Sequence, residues 1–329
     1  MVTIIPEALE LGDFYQSDLN FNDVVKIVRQ QNQRHGRFGL TKISDSYKEK
    51  EVINDYWNLI KDNRGGIKKE ALFVDKVLKA DLQTPIERGL ERARHVLPKK
   101  EFSDPSVVIT SGYTKTDART IGNSSFGVNV SSFAGNCKFD AEKFLTVLDS
   151  ISSHEGSHIY LGQMGVIKSP SMSSITANFL DSQKLKNSLE SKIFNEGLAT
   201  YTELPIVMET MGTHAGYMNS IEYWEDAVKR SLDCKPNERG RMLSEIARKL
   251  ASPELLREEL RKRGRDEKMS FSEYSQILSK ILIENSGPAY HVGYYMWKKI
   301  GDAYGIEKVR EVASKGPSEL FKVYGKMKV

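Results

Sequence analysis

Cysteine is scarce in this sequence: Cys137 and Cys234 are the only two in 329 residues. Two distant cysteines exclude a disulfide-stapled small domain and a CxxC metal or redox motif. Long apolar runs are also missing, since no stretch approaches the roughly 18 residues that a membrane span requires. The first residues carry Pro6, Glu7 and Glu10 and lack the basic and apolar regions of a secretory signal. These absences predict a cytoplasmic protein with free thiols and no membrane association.

Neither basic nor acidic residues are in large excess. The chain has 48 Lys and Arg against 44 Asp and Glu, which leaves a net charge of +4. This weak basicity is not typical of nucleic-acid binding. The one basic cluster, Arg261–Arg265, is surrounded by acidic residues, and a helix end with cations suited to its dipole explains it. We therefore expect no nucleic-acid partner, and the sequence leaves the oligomeric state open.

Few segments of the sequence have the pattern of a β-strand. The run Ser106–Thr110 is rich in β-branched residues, and Ser125–Val130 alternates with a period of two. A long helix is expected after Asp140, a favourable N-cap residue, because the apolar residues from Phe144 to Ile151 recur at helical spacing. Most other segments have helical periodicity. The sequence therefore predicts an α+β fold that is mostly α, with a small mixed sheet.

Glycine and proline breaks divide the chain into three predicted regions. Residues 1–100 are expected to form a helical N-terminal region. Residues 101–165 contain the small sheet and the long helix, and residues 166–329 are expected to form an all-helical C-terminal subdomain. The motif with recognisable chemistry lies on the long helix of the middle region.

This motif is H-E-x-x-H, with histidines at His154 and His158 and the glutamate at Glu155. At about 100° per residue, the two histidines project only about 40° apart and can reach one cation. Glu155 projects beside that cation, where its carboxylate can take a proton from a water that the metal activates. Two imidazoles and one carboxylate suit Zn²⁺ with a fourth position open. We therefore expect one zinc ion per chain.

Two other interpretations of the histidine pair stay open: two solvated histidines on a surface helix, or two hydrogen-bonded histidines in the core. The pair continues the inward-facing apolar stripe of the helix, which argues against the surface interpretation. In a core without metal, Glu155 would lie close to apolar residues without a partner. A metal site accounts for both observations.

A second motif supplies a candidate for the third ligand. Residues 195–201 read N-E-G-L-A-T-Y on a predicted helix. Together with H-E-x-x-H, this run resembles the gluzincin clan of zinc metallopeptidases and is very similar to the N-E-G-F-A-T/S-Y run of the aminopeptidase N family. The resemblance implies a zincin-like metallopeptidase core and makes Glu196 the third zinc ligand. Thr200 lies one turn further on the same helical face, and we expect it to orient a ligand.

The sequence also departs from the aminopeptidase N pattern. That family carries a G-x-M-E-N signature on the strand before the zinc helix, whereas this chain reads F-G-V-N-V at residues 126–130. Recognition of a peptide N-terminus is therefore not implied. We expect this strand to be the sheet edge that offers backbone groups to an extended peptide, through Gly127, Val128 and Asn129.

Residues 288–297 read P-A-Y-H-V-G-Y-Y-M-W and resemble a Tyr/Gly-rich stretch of thimet-oligopeptidase-type zinc peptidases. In those enzymes tyrosines at this spacing contact the substrate carbonyl. We rank Tyr290 first, Tyr294 second and His291 third as the donor that stabilises the oxyanion. Simple aromatic packing of the tyrosines stays open as the alternative.

Cys137 is a weaker candidate for a metal ligand. Peptide deformylases combine a cysteine with H-E-x-x-H, but their cysteine follows Glu-Gly, whereas Cys137 follows Gly135 and Asn136. We therefore prefer a carboxylate as the third ligand.

The order of motifs along the chain also resembles families known only as predicted zinc peptidases.

The sequence thus predicts a zinc-dependent peptidase in which Glu155 is the general base. Its partner would be a peptide or protein substrate. The alternative is a catalytically inactive zincin-like protein that binds peptides or acts as a scaffold.

Overall fold

The structure is a computed structural model. It describes residues 4–6, 19–37, 49–50, 53–54, 57–58, 61, 64–111, 118–166, 190–203 and 288–327. The basic cluster Arg261–Arg265 lies outside the described residues, and so does the side chain of His291.

Helices dominate the described residues, as the sequence predicted. The strands are β1 (Ile4–Pro6), β2 (Ser106–Thr110), β3 (Ala118–Ile121) and β4 (Ser125–Asn129). The helices are α1 (Phe21–Arg37), α2 (Arg64–Lys79), α3 (Gln83–His95), α4 (Val130–Phe133), α5 (Ala141–Gln163), α6 (190–203), α7 (Pro288–Tyr304), α8 (Ile306–Lys315) and α9 (Pro317–Lys326). None of the helices in the described ranges has both the length and the apolar character that crossing a bilayer requires.

The small sheet is mixed, and its strand order is β1-β2-β4-β3. Strand β2 pairs in parallel with both β1 and β4, whereas β3 pairs antiparallel with β4. Gly127 is therefore paired on both sides, with Val108 of β2 and with Arg119 of β3. The expectation that Gly127, Val128 and Asn129 form a sheet edge is wrong, because β4 is an interior strand.

Among the described strands, β1 and β3 are the two edges, and neither was predicted from the sequence. Strand β3 has only four residues, two of which are Arg119 and Thr120. The sequence signal for β3 is Gly122, which begins the short connection from β3 to β4. Its φ is 61°. A three-residue connection that contains glycine is typical of a β-hairpin.

The described residues belong to two compact units. The first contains those up to Arg92 and those from Glu101 to Ile159, and the second contains those from Ala93 to Lys100 and those from Tyr160 onward. In the first unit, Phe73 of α2 packs edge-on against Phe144 of α5, with ring centroids 6.0 Å apart. In the second unit, Trp297 of α7 is fully buried, and its indole N–H donates to the backbone carbonyl of Phe194. The three-region division remains a prediction.

Helix α5 begins as the sequence predicts. The carboxylate of Asp140 accepts a hydrogen bond from the backbone N–H of Glu142, which satisfies one of the donors that a helix start leaves without a partner. Phe144 and Leu148 are fully buried, and Ile151 is nearly so. This buried stripe fixes the rotation of the helix about its axis.

Helix α3 approaches α5 at Gly89. A Cβ atom at this position would lie 2.3 Å from the backbone oxygen of Asp149 and 2.7 Å from Cβ of Ser152. On either side of the contact, Arg88 and Arg92 form ion pairs with the buried carboxylate of Asp149, at 3.1 and 2.9 Å. The two helices therefore touch through their backbones and are held by two ion pairs about one turn before the H-E-x-x-H motif.

We predict that Gly89→Ala lowers the free energy of unfolding by about 1–3 kcal/mol, because the new methyl group overlaps backbone that cannot move aside without separating the helices. Urea denaturation followed by circular dichroism measures the change. Gly325→Ala in α9 is the matched control, since a Cβ there meets nothing within 4 Å. The control should be neutral or should stabilise the protein by up to about 1 kcal/mol. Equal effects of the two substitutions would contradict the packing argument.

Candidate metal centre

Helix α5 brings the two histidines of the motif together. The rings of His154 and His158 lie one turn apart, with centroids 4.8 Å apart and planes at 83°. Both side chains are half-buried, so neither is sealed in the core nor fully solvated. The structure confirms that the two imidazoles lie on one face of the helix, as their spacing predicts.

Glu196 of α6 joins this pair. Ligand atoms of His154, His158 and Glu196 all lie within 4.8 Å of one another. Two imidazole nitrogens and one carboxylate oxygen are donors that suit zinc, and three protein ligands leave a position for water or substrate. Among the described residues the group has three donors, which is the number that protein residues supply in zinc sites with an open position.

The Glu196 carboxylate is buried, with 5% of its side chain exposed, and it forms an ion pair with Lys192 one turn earlier on α6. Burying a carboxylate without a compensating cation is costly. Lys192 supplies that cation within the same helix. Lys192 was not among the residues predicted for the site, although its i, i+4 spacing to Glu196 is a recognisable signal for a pair.

Glu155 is also buried, with 8% exposed, but its partner differs. The hydroxyl of Thr120, in β3, donates to Oε2 of Glu155 at 2.5 Å. Among the described residues this is the hydrogen bond that the Glu155 side chain makes. The edge strand β3 is therefore next to the glutamate of the motif, which local sequence patterns did not indicate.

Helix α7 packs tightly against α6 next to Glu196. A Cβ on Gly197 would lie 2.3 Å from Cα of Gly293, and a Cβ on Gly293 would lie 2.2 Å from the carbonyl oxygen of Ile193. The glycines of N-E-G and H-V-G-Y therefore permit direct backbone contact between the two helices. This contact places the tyrosine-rich helix beside the helix that carries Glu196.

A protein-family model matches residues 36–327 of the chain, and its description is "Putative zinc dependent peptidase (DUF5700)". The chain belongs to this family. No curated protein and no solved structure matches it. The DUF5700 description names zinc, and the structure holds a His-His-Glu group that could bind a metal. The prediction of a zinc cofactor is therefore confirmed.

Thr200 makes its side-chain hydrogen bond within α6 of this DUF5700 chain, and its expected role in orienting a ligand stays a prediction. Its hydroxyl donates to the backbone carbonyl of Glu196 at 2.8 Å, one turn back along α6. Such bonds within a helix are common for threonine because the carbonyl of residue i−4 is the nearest acceptor. Thr200 therefore contacts the backbone of Glu196 and not its carboxylate.

Helix α7 (Pro288–Tyr304) carries the tyrosines that were ranked as oxyanion donors. Tyr290 and Tyr294 are half-buried on this helix, whereas the neighbouring Tyr295 is buried. Their ranking as oxyanion donors, with His291, stays a prediction.

Cys137 is not part of the metal-binding group found among the described residues. Its thiol is buried, and burial raises the thiol pKa to about 11, with a smaller contribution from the negative charge of Asp140. A thiol with a raised pKa is a poor metal ligand, because metals bind the thiolate. The preference for a carboxylate ligand agrees with this environment.

We predict that Glu196→Ala weakens zinc binding, because only the two imidazoles of the group remain. Zinc at about a hundredfold its Kd would stabilise the wild type by about 2.7 kcal/mol. This increment should be much smaller in the variant, as measured by thermal unfolding with and without zinc, together with metal content by mass spectrometry. Comparing the increment within each variant separates metal loss from loss of the Lys192 ion pair.

The matched control is Glu203→Ala, which removes a carboxylate from the end of the same helix and outside the His-His-Glu group. It should keep the full zinc-dependent increment. Unchanged zinc affinity in Glu196→Ala would mean that another carboxylate is the ligand, and Glu190 and Asp181 would be tested next.

Proposed function

We propose that the protein is a zinc peptidase of the gluzincin type with a zincin-like core, in which His154, His158 and Glu196 hold the metal and Glu155 is the general base. The observation that carries the proposal is the His-His-Glu group with Glu155 beside it on α5. The family description supports the coarser statement that the chain is a zinc-dependent peptidase.

When bound, zinc would act as a Lewis acid that polarises the scissile carbonyl and acidifies the attacking water. Glu155 follows His154 directly in α5, so its carboxylate projects beside the ligand set and not into it. In this role it accepts a proton from the attacking water and later delivers it to the leaving amine. Its burial keeps bulk water away from that transfer.

The substrate we propose is an extended peptide that adds to the outer edge of β3. Among the described strands, β3 is paired on one side only, so its other side can pair with a peptide backbone. Thr120 on this strand touches Glu155, which places the same edge beside the proposed base. A peptide bound there would run past the catalytic carboxylate.

Negative charge develops on the carbonyl oxygen during attack on the amide, and a hydroxyl donor opposite the metal would stabilise it. Tyr290 is our first candidate, followed by Tyr294 and His291. The support is the backbone contact between Gly197 and Gly293, which holds α7 against the helix that carries Glu196.

A zinc-binding scaffold without activity is the competing function. A scaffold needs the three ligands but has no use for a buried carboxylate at position 155. Testing Glu155 therefore separates the two functions.

We predict that Glu155→Gln retains zinc and lowers turnover by about 10²–10⁴-fold, because the amide cannot accept a proton. Cleavage of a fluorogenic peptide library and metal analysis measure the two properties on the same preparation. Loss of zinc would make Glu155 a ligand, and unchanged cleavage would remove its role as base.

We predict that Tyr290→Phe lowers kcat by about 10²–10³-fold with little change in KM or zinc content, because only the hydroxyl is removed. Tyr295→Phe is the matched control on the same helix, since its buried hydroxyl makes no hydrogen bond among the described residues. Removing a buried hydroxyl without a partner should leave kcat unchanged and should not destabilise the fold. Wild-type kcat in Tyr290→Phe would move the role to Tyr294 or His291.

A further inference from the structure

Thr120 is the one described side chain that hydrogen-bonds the Glu155 carboxylate. Its Oγ1 lies 2.5 Å from Oε2 of Glu155, and the two residues are 35 positions apart in sequence. Thr120 is half-buried, and its neighbour Arg119 is exposed, as expected for adjacent residues on opposite faces of a strand. The hydroxyl therefore points from the edge strand towards α5.

We propose that Thr120 is a positioning residue that holds the Glu155 carboxylate in the orientation needed to accept a proton from the attacking water. This inference rests on the proposed function, in which Glu155 is the base. A glutamate side chain has three rotatable bonds, and a base that is out of position by about 1 Å can cost about a hundredfold in rate. A hydrogen bond to Oε2 restricts rotation of the Glu155 side chain and leaves Oε1 to accept the proton from the water.

The backbone at Thr120 is held in place by strand pairing. Thr120 is opposite Phe126 in the register between β3 and β4, and Phe126 is fully buried in the interior strand. Backbone pairing therefore fixes the Cα of Thr120, and a β-branched side chain has few rotamers. The hydroxyl is therefore presented to Glu155 from a backbone position that strand pairing holds.

The chemical nature of the partner also matters. A hydroxyl donates a hydrogen bond without a formal charge. The Glu155 carboxylate is thus oriented by one directional bond from a neutral donor.

Thr120→Val tests the proposal, since it removes the hydroxyl and keeps the β-branched shape. We expect kcat for the library peptide that the wild type cleaves fastest to fall about 10–100-fold, the range typical of lost orienting contacts. KM and zinc content should stay unchanged, because substrate would pair with the backbone of β3. Thr120→Ser restores the hydroxyl and should recover most of kcat.

Thr110→Val in β2 is the matched control, because the Thr110 hydroxyl is bonded to the carbonyl of Val128 and not to Glu155. It should keep wild-type kcat. Wild-type kcat in Thr120→Val, or a serine variant as slow as the valine variant, would overturn the proposal. A lower stability or zinc content of Thr120→Val with unchanged kcat would also overturn the proposal, since it would show a structural role.

Glu155→Gln separates this inference from the proposed function. If Glu155→Gln is inactive while Thr120→Val keeps its kcat, only the positioning role fails. If Glu155→Gln is fully active, or if the wild type cleaves no peptide, the proposed function fails. In that case crystal structures of wild type and Thr120→Val decide the positioning role: a carboxylate of Glu155 with the same orientation in both would overturn it.

Discussion

Burial of acidic side chains along a few helices is the constraint on which the rest of this structure depends. Three carboxylates are buried among the described residues, those of Asp149, Glu155 and Glu196. Each would destabilise the fold if it lay in the interior without a partner. Their partners come from three different places: a neighbouring helix, the edge of the sheet and the same helix. The ion pairs of Asp149 join α5 to α3, and the hydrogen bond of Glu155 joins α5 to β3.

The three partners are not equivalent. Asp149 has two guanidinium groups, from Arg88 and Arg92, and Glu196 has the ammonium group of Lys192. Glu155 has the neutral hydroxyl of Thr120. The proposed base therefore differs from the other two buried carboxylates in its partner, which is neutral, whereas each of the others has a cation.

Local periodicity predicted the parts of the site that lie within one helix. The spacing of His154 and His158 gave the shared face, and Asp140 marked the beginning of α5. The run at residues 195–201 gave Glu196 through resemblance, and the structure places it with the histidines. For the two histidines and Asp140 the signal lies within a few residues, where backbone geometry alone relates the side chains.

The parts that were missed depend on pairing between distant segments. Alternation in Ser125–Val130 predicts a strand but does not reveal whether one neighbour or two will pair with it. The order β1-β2-β4-β3 places that strand inside the sheet and gives the edge to Ala118–Ile121, a segment with little strand character. Thr120 could not be connected to Glu155 without this order. The hydroxyl of Thr200, in contrast, is bonded to the backbone of its own helix. Side chains that orient a catalytic group are therefore predictable from sequence only where they share an element with it, and here the element that reaches Glu155 is a strand.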